Sequence, residues 1–267
     1  MTRQPAIFIS HGGGPCFWVE FPQPLGLHAF DNLREYLAQL VSSLPAQPSA
    51  ILIVSGHWEE SRPTVSTASA PPMLFDYFNF PPHTYQLSYP APGAPALAAR
   101  VQVILQLAGI STNSDPSRGF DHGVFVPLLI VDPAAQIPVV EMSLQKDLDP
   151  ASHIAIGAAL AGLRDEGVLI LGSGNSFHNL RTFFNGESEA SAVFDDWLTG
   201  AVTAPESAVR NAALIDWAAA PCARLCHPRE EHLLPLMVAA GAGGNDPGRR
   251  DFHDVIGGKA ISGYRFG

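Results

Sequence analysis

Two short runs, Ala6-Ile7-Phe8-Ile9-Ser10 and Ala50-Ile51-Leu52-Ile53-Val54-Ser55, are apolar at every position until a serine stops them. An alternating pattern would leave one face of a sheet in water, whereas an unbroken one needs cover on both faces, as in a sheet sandwiched between helices. Between the two runs, residues 31–44 place Leu33, Tyr36, Leu37, Leu40 and Val41 at helical spacing, with Asp31 at the N-cap position. That is a strand-helix-strand unit. The same reading gives helices over 94–108 and 151–164 and strands over 138–142 and 168–171, the last ending in Gly172-Ser173-Gly174. A closing strand follows at 259–264, after a glycine-rich, polar stretch at 241–250 that reads as a mobile connector. The alternation predicts an α/β fold, with a central mostly parallel or mixed sheet flanked by helices and an active site at the strand carboxyl ends. No internal repeat or domain boundary interrupts it.

With 267 residues, 46% hydrophobic and 15% charged, the chain has ample material for a buried core. Its net charge of -10 and the lack of any Lys/Arg cluster argue against nucleic acid as a partner and leave a small molecule. Cys16, Cys222 and Cys226 are too few for a disulfide framework, so a reducing, cytoplasmic setting is expected. No uninterrupted apolar run reaches the length of a signal-peptide core or a membrane span, so neither export nor a membrane partner is expected.

Histidines carry the chemistry. Five of them sit in short segments rich in glycine, serine or proline: Ser10-His11-Gly12-Gly13, Ser55-Gly56-His57-Trp58, Asp121-His122-Gly123, Ser176-Phe177-His178-Asn179 and Glu231-His232-Leu233-Leu234-Pro235. His11, His57 and His178 each fall just after a predicted strand, where an open α/β sheet gathers its ligands. One loop histidine means little, but five with shared placement point to a divalent metal. His28, His83, His153 and His253 lack that context, and His227 is intermediate, positioned to cap or pair with the acidic turn that follows it. Rival chemistries fit less well. Gly12-Gly13-Gly14 is followed by Pro15 rather than a Gly-Lys-Ser/Thr run, and Gly172-Ser173-Gly174 does not match a nucleophile elbow. Cys222 and Cys226, at helical spacing, read as core residues. Imidazole donors suit zinc, iron and manganese alike, so redox and hydrolytic chemistry both stay open at this point.

Residues 71–89 interleave Pro71, Pro72, Pro81 and Pro82 with Phe75, Tyr77, Phe78, Phe80, Tyr85 and Tyr89. Such a segment cannot be regular helix. A long aromatic loop is read either as a wall of the binding cleft or as surface packing.

Taken in order, Ser10-His11-Gly12, Gly56-His57-Trp58, Gly119-Phe120-Asp121-His122-Gly123, Gly172-Ser173-Gly174 through His178-Asn179-Leu180, and His227-Pro228-Arg229-Glu230-Glu231-His232-Leu233-Leu234-Pro235-Leu236 resemble the signatures of class III extradiol ring-cleaving dioxygenases. The closer resemblance is to their DOPA 4,5-dioxygenase-like branch. It implies a single catalytic domain over 1–267 in which His11, His57 and His232 hold the metal. His178 would be the acid/base, or a fourth ligand in a substrate-free zinc form, and His122 would line the substrate pocket. Many extradiol enzymes use a carboxylate as third ligand, and Glu231 stands beside His232. Adjacent helical residues point about 100° apart, so only one of them can face the metal, and the branch resemblance favours His232. The implied cofactor is Fe(II), with Zn²⁺ able to occupy the site in purified protein. The implied reaction is extradiol cleavage by O2 of a catechol, DOPA-like or otherwise substituted. A zinc hydrolase using the same histidines is the alternative. Oligomeric state is not readable from the chain.

Overall fold

In a computed structural model, which describes residues 2–23, 25–183 and 189–267, both apolar runs are fully buried strands, β1 (Ala6–Ser10) and β2 (Ala50–Glu60). They belong to one eight-stranded sheet with β3 (Thr64–Ser66), β4 (Asn113–Asp115), β5 (Val139–Gln145), β6 (Val168–Gly174), β7 (Gly248–Ile256) and β8 (Lys259–Phe266). The order is β4-β3-β5-β2-β6-β1-β8-β7. Its centre, β5-β2-β6-β1, is parallel, while β8 runs antiparallel to β1 and β3 antiparallel to β5, so the sheet is mixed.

Register sets the position of the site. Ser10 lies opposite Gly174, and Ser55 opposite Ser173, so the carboxyl ends of β1 and β6 and the Ser55 level of β2 coincide. Residues that follow these points emerge together at one rim of the sheet.

Helix Pro95–Leu107 matches its predicted span closely. Other expectations need correction. Residues 31–44 divide into the α-helix Asp31–Gln39 and a 3-10 turn Val41–Ser43, and Asp31 is the first helical residue rather than the cap, which is Phe30. Residues 151–164 likewise become the α-helix Pro150–Leu160, capped by the Asp149 carboxylate, followed by a 3-10 stretch Ala161–Glu166. The expected connector at 241–250 is mostly ordered structure: helix Leu234–Gly243 runs into it and β7 begins within it. That helix has every residue buried, so it lacks the polar face by which a sequence pattern declares a helix. Among the described residues no helix is long and apolar enough to cross a membrane.

Candidate metal centre

His11 follows β1 directly, as expected. His57 does not follow a strand: β2 continues through it to Glu60. Val54 pairs with Met142 but Glu59 pairs with Leu144, so only Ser143 faces residues 55–58. The surplus chain bulges out of the ladder and turns His57 toward the rim, the effect a bulge has beside many active sites. His232 lies in the turn that leads into helix Leu234–Gly243, not in a helix. Its backbone is pressed against the end of β6: a Cβ on Gly172 would meet the Pro235 carbonyl oxygen at 2.2 Å, and one on Gly174 the His232 carbonyl oxygen at 2.1 Å. Gly-Ser-Gly is therefore a contact surface for the third histidine, with Asn175 N donating to the His232 carbonyl at 3.0 Å.

The three imidazoles converge through their Nε2 atoms, with His57 Nε2 3.2 Å from His11 Nε2 and 3.1 Å from His232 Nε2. Each Nδ1 is turned to an oxygen. Glu231 Oε1 lies 3.1 Å from His232 Nδ1, Asp76 Oδ2 lies 3.7 Å from His57 Nδ1, and Ser173 Oγ lies 3.1 Å from His11 Nδ1. The serine's role follows from a proline. Pro127 lies inside helix His122–Val131 and has no N–H to offer Gly123, four residues back, so Ser173 Oγ donates to that carbonyl instead. Having given its proton away, the hydroxyl is an acceptor toward His11 Nδ1–H, which leaves the His11 Nε2 lone pair facing the cluster. A carboxylate fixes His232 the same way.

The His11 and His232 lone pairs are thus turned toward His57 Nε2, with the Asn175 amide also 3.2 Å from His11 Nε2, and a cation among the three nitrogens would satisfy them all at once. Imidazole–metal bonds of about 2.0–2.1 Å at tetrahedral or octahedral angles put neighbouring nitrogens roughly 2.8–3.4 Å apart, a range that brackets the spacing seen here. The oxygens on each Nδ1 are the usual outer partners of metal-bound imidazole. The donor set therefore fits a divalent metal. Its protonation state agrees. Burial first, then the neighbouring imidazoles, hold His11 and His232 well below the ordinary histidine range, and burial with His122 pushes His57 down to about 4. All three stay neutral and able to ligate at physiological pH.

Two further histidines border the cluster. The His178 ring stacks on that of His232, with centroids 3.4 Å apart and planes 18° from parallel. Its Nδ1 lies 3.1 Å from Glu231 Oε1, so one carboxylate oxygen serves both rings. His122 opens its helix 3.9 Å, centroid to centroid, from His57 and is held by Asp76 Oδ1, which accepts from its backbone N at 3.0 Å and pairs with its Nδ1 at 2.8 Å. Burial disfavours charge on Asp76, but the hydrogen bonds from the His122 side chain and backbone help keep it below the usual carboxylate range. Glu231 follows the same logic, with His178 and Arg229 outweighing burial. Behind His122, Asp121 accepts from Ser55 Oγ at 2.8 Å and pairs with Arg118 at 2.6 Å. Arg118 also reaches Glu141 at 3.3 Å and lies over the Trp58 ring. Burial and the neighbouring Asp121 raise Glu141 well above the usual range.

All five predicted histidines thus meet at the floor of one cavity of about 390 Å³. The aromatic segment contributes to its wall through Tyr77, Phe78 and Phe80. The remaining histidines lie outside the cavity lining: His227, for example, is buried with Nε2 2.8 Å from the Ser176 carbonyl oxygen. Cys16, Cys222 and Cys226 are free thiols, none of them in the cluster. Asp76 and Ser173 were not foreseen. Asp76 did leave a trace, as the one Asp, Glu, Lys or Arg between Arg62 and Arg100.

A parallel-centred α/β sheet with a histidine metal centre at its carboxyl rim, opening into an apolar cleft, defines a class of metal-dependent enzyme. The profile of the catalytic LigB subunit of aromatic ring-opening dioxygenase matches residues 5–263, and the chain belongs to this family of class III extradiol dioxygenases. It is 37% identical over 285 residues to a protein named dioxygenase tasH from Hapsidospora irregularis, covering 100% of this chain and 86% of that one. A Portulaca grandiflora protein named 4,5-DOPA dioxygenase extradiol is 39% identical over 248 residues, covering 91% and 88%. An Escherichia coli K12 protein of the same name is 34% identical, covering 90% and 86%. The solved structure of an uncharacterized protein from Escherichia coli K12 superposes with a TM-score of 0.77 at 30% identity, covering 99% of this chain and 100% of that one.

Proposed function

We propose that this enzyme opens the ring of a substituted catechol beside its diol, using O2 and a non-haem Fe(II) held by His11, His57 and His232. The observation that carries the reading is the convergence of three Nε2 atoms at 3.1–3.2 Å on the floor of the cavity. Bound there, Fe(II) would supply the electron exchange between catechol and oxygen that zinc cannot. Both oxygen atoms enter the product and one ring carbon–carbon bond breaks, so no external reductant is needed.

The chain's own residues handle protons and orientation. His178, its Nδ1–H directed at Glu231, presents Nε2 as a base for one catechol hydroxyl and returns that proton as the ring opens. His122, fixed by Asp76, hydrogen-bonds a catechol oxygen or the incoming oxygen. Tyr77, Phe78 and Phe80 face the flat ring, which apolar and aromatic walls bind well. In this reading Glu231 orients the imidazoles rather than ligating, because it lies on Nδ1 of His232, with the imidazole ring between it and the converging Nε2 atoms.

Family membership favours this chemistry over a zinc hydrolase at the same histidines. The test is oxygen uptake and appearance of a visible-absorbing ring-opened product with catechols, comparing Fe(II)-loaded and zinc-loaded protein. Activity with iron alone is expected. Hydrolysis with zinc and no oxygen uptake with any catechol would overturn the reading.

A further inference from the structure

The cleft changes character between floor and walls. The floor is the polar set of histidines with Asn175 and Asp76. Above it, Phe21 and Leu25 from the chain after β1, Phe177 and Phe183 from the chain after β6, and Ile256 and Ile261 from the β7–β8 hairpin form an apolar enclosure. These are contiguous surfaces: the Phe177 and Phe183 rings lie 6.3 Å apart, and Leu25 and Phe183 both approach Gly257 at the turn of the hairpin.

Among the described residues the cavity lining contains no lysine or arginine, and Asp76 is its only carboxylate. Asp76 belongs to the floor, where His122 N and Nδ1 both bind its Oδ1 and His57 Nδ1 lies 3.7 Å from its Oδ2, away from the apolar walls. Lys259, with Nζ 5.9 Å from the centroid of the Phe177 ring, is buried and does not line the cavity. A catechol seated with its oxygens at the histidines projects its ring substituent along these walls. An amino-acid substituent would bring an ammonium and a carboxylate against phenylalanine and isoleucine side chains that offer neither a counter-charge, and an unpaired ion in such surroundings is strongly disfavoured. A hydrocarbon substituent there gains from every bit of apolar surface it removes from water.

We propose that the substrate is a catechol carrying a hydrocarbon substituent rather than an amino acid. The proposal rests on ring cleavage at this site and narrows its substrate class. Several relatives are named for DOPA, and the proposal assigns this chain a different substrate side chain on the strength of its own walls.

The test compares 4-propylcatechol, dihydrocaffeate and L-DOPA, which share the diol and differ in the charge of the side chain. Calorimetric titration of the zinc-loaded protein reads binding without turnover. 4-Propylcatechol is expected to bind at least about tenfold more tightly than either charged compound, with a negative heat-capacity change. kcat/KM from oxygen uptake by the Fe(II)-loaded enzyme follows the same order. Leu25→Arg and Phe183→Arg, wall positions on two different chain segments, each shift preference toward dihydrocaffeate. Equal or tighter binding of L-DOPA, with oxygen uptake intact, overturns the hydrocarbon assignment and leaves ring cleavage standing. No oxygen uptake with any of the three overturns ring cleavage, and this assignment falls with it.

Discussion

Glu231→Gln separates two roles that the carboxylate could have, and the geometry gives each a different magnitude. Glu231 Oε1 lies 3.1 Å from Nδ1 of both His232 and His178, on the side of the His232 ring opposite the converging Nε2 atoms. Glutamine keeps the size and one accepting oxygen but removes the charge. A hydrogen bond to a charged group contributes about 1.5–3 kcal/mol and a neutral one about 0.5–1.5, so roughly 1 kcal/mol is lost at each ring. At His232 that loss is felt mainly when a cation is bound on the far side of the ring, and outer partners of this kind typically govern metal affinity by about 10–100-fold. At His178 it weakens the hold on the abstracted proton, so turnover at saturating metal falls by a further factor of about 5. The assay is metal competition against a chelator, with oxygen uptake measured separately at saturating Fe(II). His232→Ala is the reference for loss of a ligand. If Glu231→Gln lost metal as completely as His232→Ala, the carboxylate would be a ligand and the imidazole arrangement proposed here would be wrong. If neither affinity nor turnover moved, Glu231 would have no positioning role.

Four other outcomes are expected. His57→Ala should lose most bound metal on elemental analysis, and full retention would remove His57 from the ligand set. His178→Ala should keep its metal while turnover falls by about 10² to 10⁴; an unchanged rate at saturating catechol would exclude it from proton transfer. Gly174→Ala, whose Cβ would meet the His232 carbonyl oxygen at 2.1 Å, should destabilise the fold by about 1–3 kcal/mol or more in denaturant titration and weaken metal binding with it; wild-type stability would mean that β6 and the His232 turn are not in close contact. The metal-free protein should lose stability as pH falls. Burial of His227 lowers its folded value to about 4 from an ordinary 6.5, so between these values the unfolded chain binds the extra proton. Stability is then level above about pH 6.5 and declines below it by up to about 1.4 kcal/mol per pH unit for this group. Melting curves should show a shallower decline for His227→Gln, and an identical slope would contradict the assignment.

The strands at the centre of the sheet and the identity of the five histidines were legible in the chain because both are local properties. A strand segment covered on both faces must be apolar throughout, and the runs 6–9, 50–54 and 168–171 within β1, β2 and β6 are. A histidine beside glycine at the end of such a run has few structural reasons to be there. What the local pattern could not carry was anything requiring two distant segments at once. The bulge that aims His57 exists only through the register of β2 against β5: Ser55-Gly56 reads locally as the end of the strand, and only the pairing shows that the strand resumes beyond it. Helix Leu234–Gly243, buried all round, has no amphipathic period to read. Asp76 and Ser173 acquire their roles from partners at His122 and at His11 and Gly123, respectively. Pro127, unfavourable by propensity inside a helix, becomes intelligible once the carbonyl it frees is seen accepting from Ser173. Sequence by itself thus determined which groups could bind a metal. Tertiary structure decided which nitrogen of each ring faces the site, because a ring's tautomer is set by the partner on its other nitrogen, and that partner comes from elsewhere in the fold.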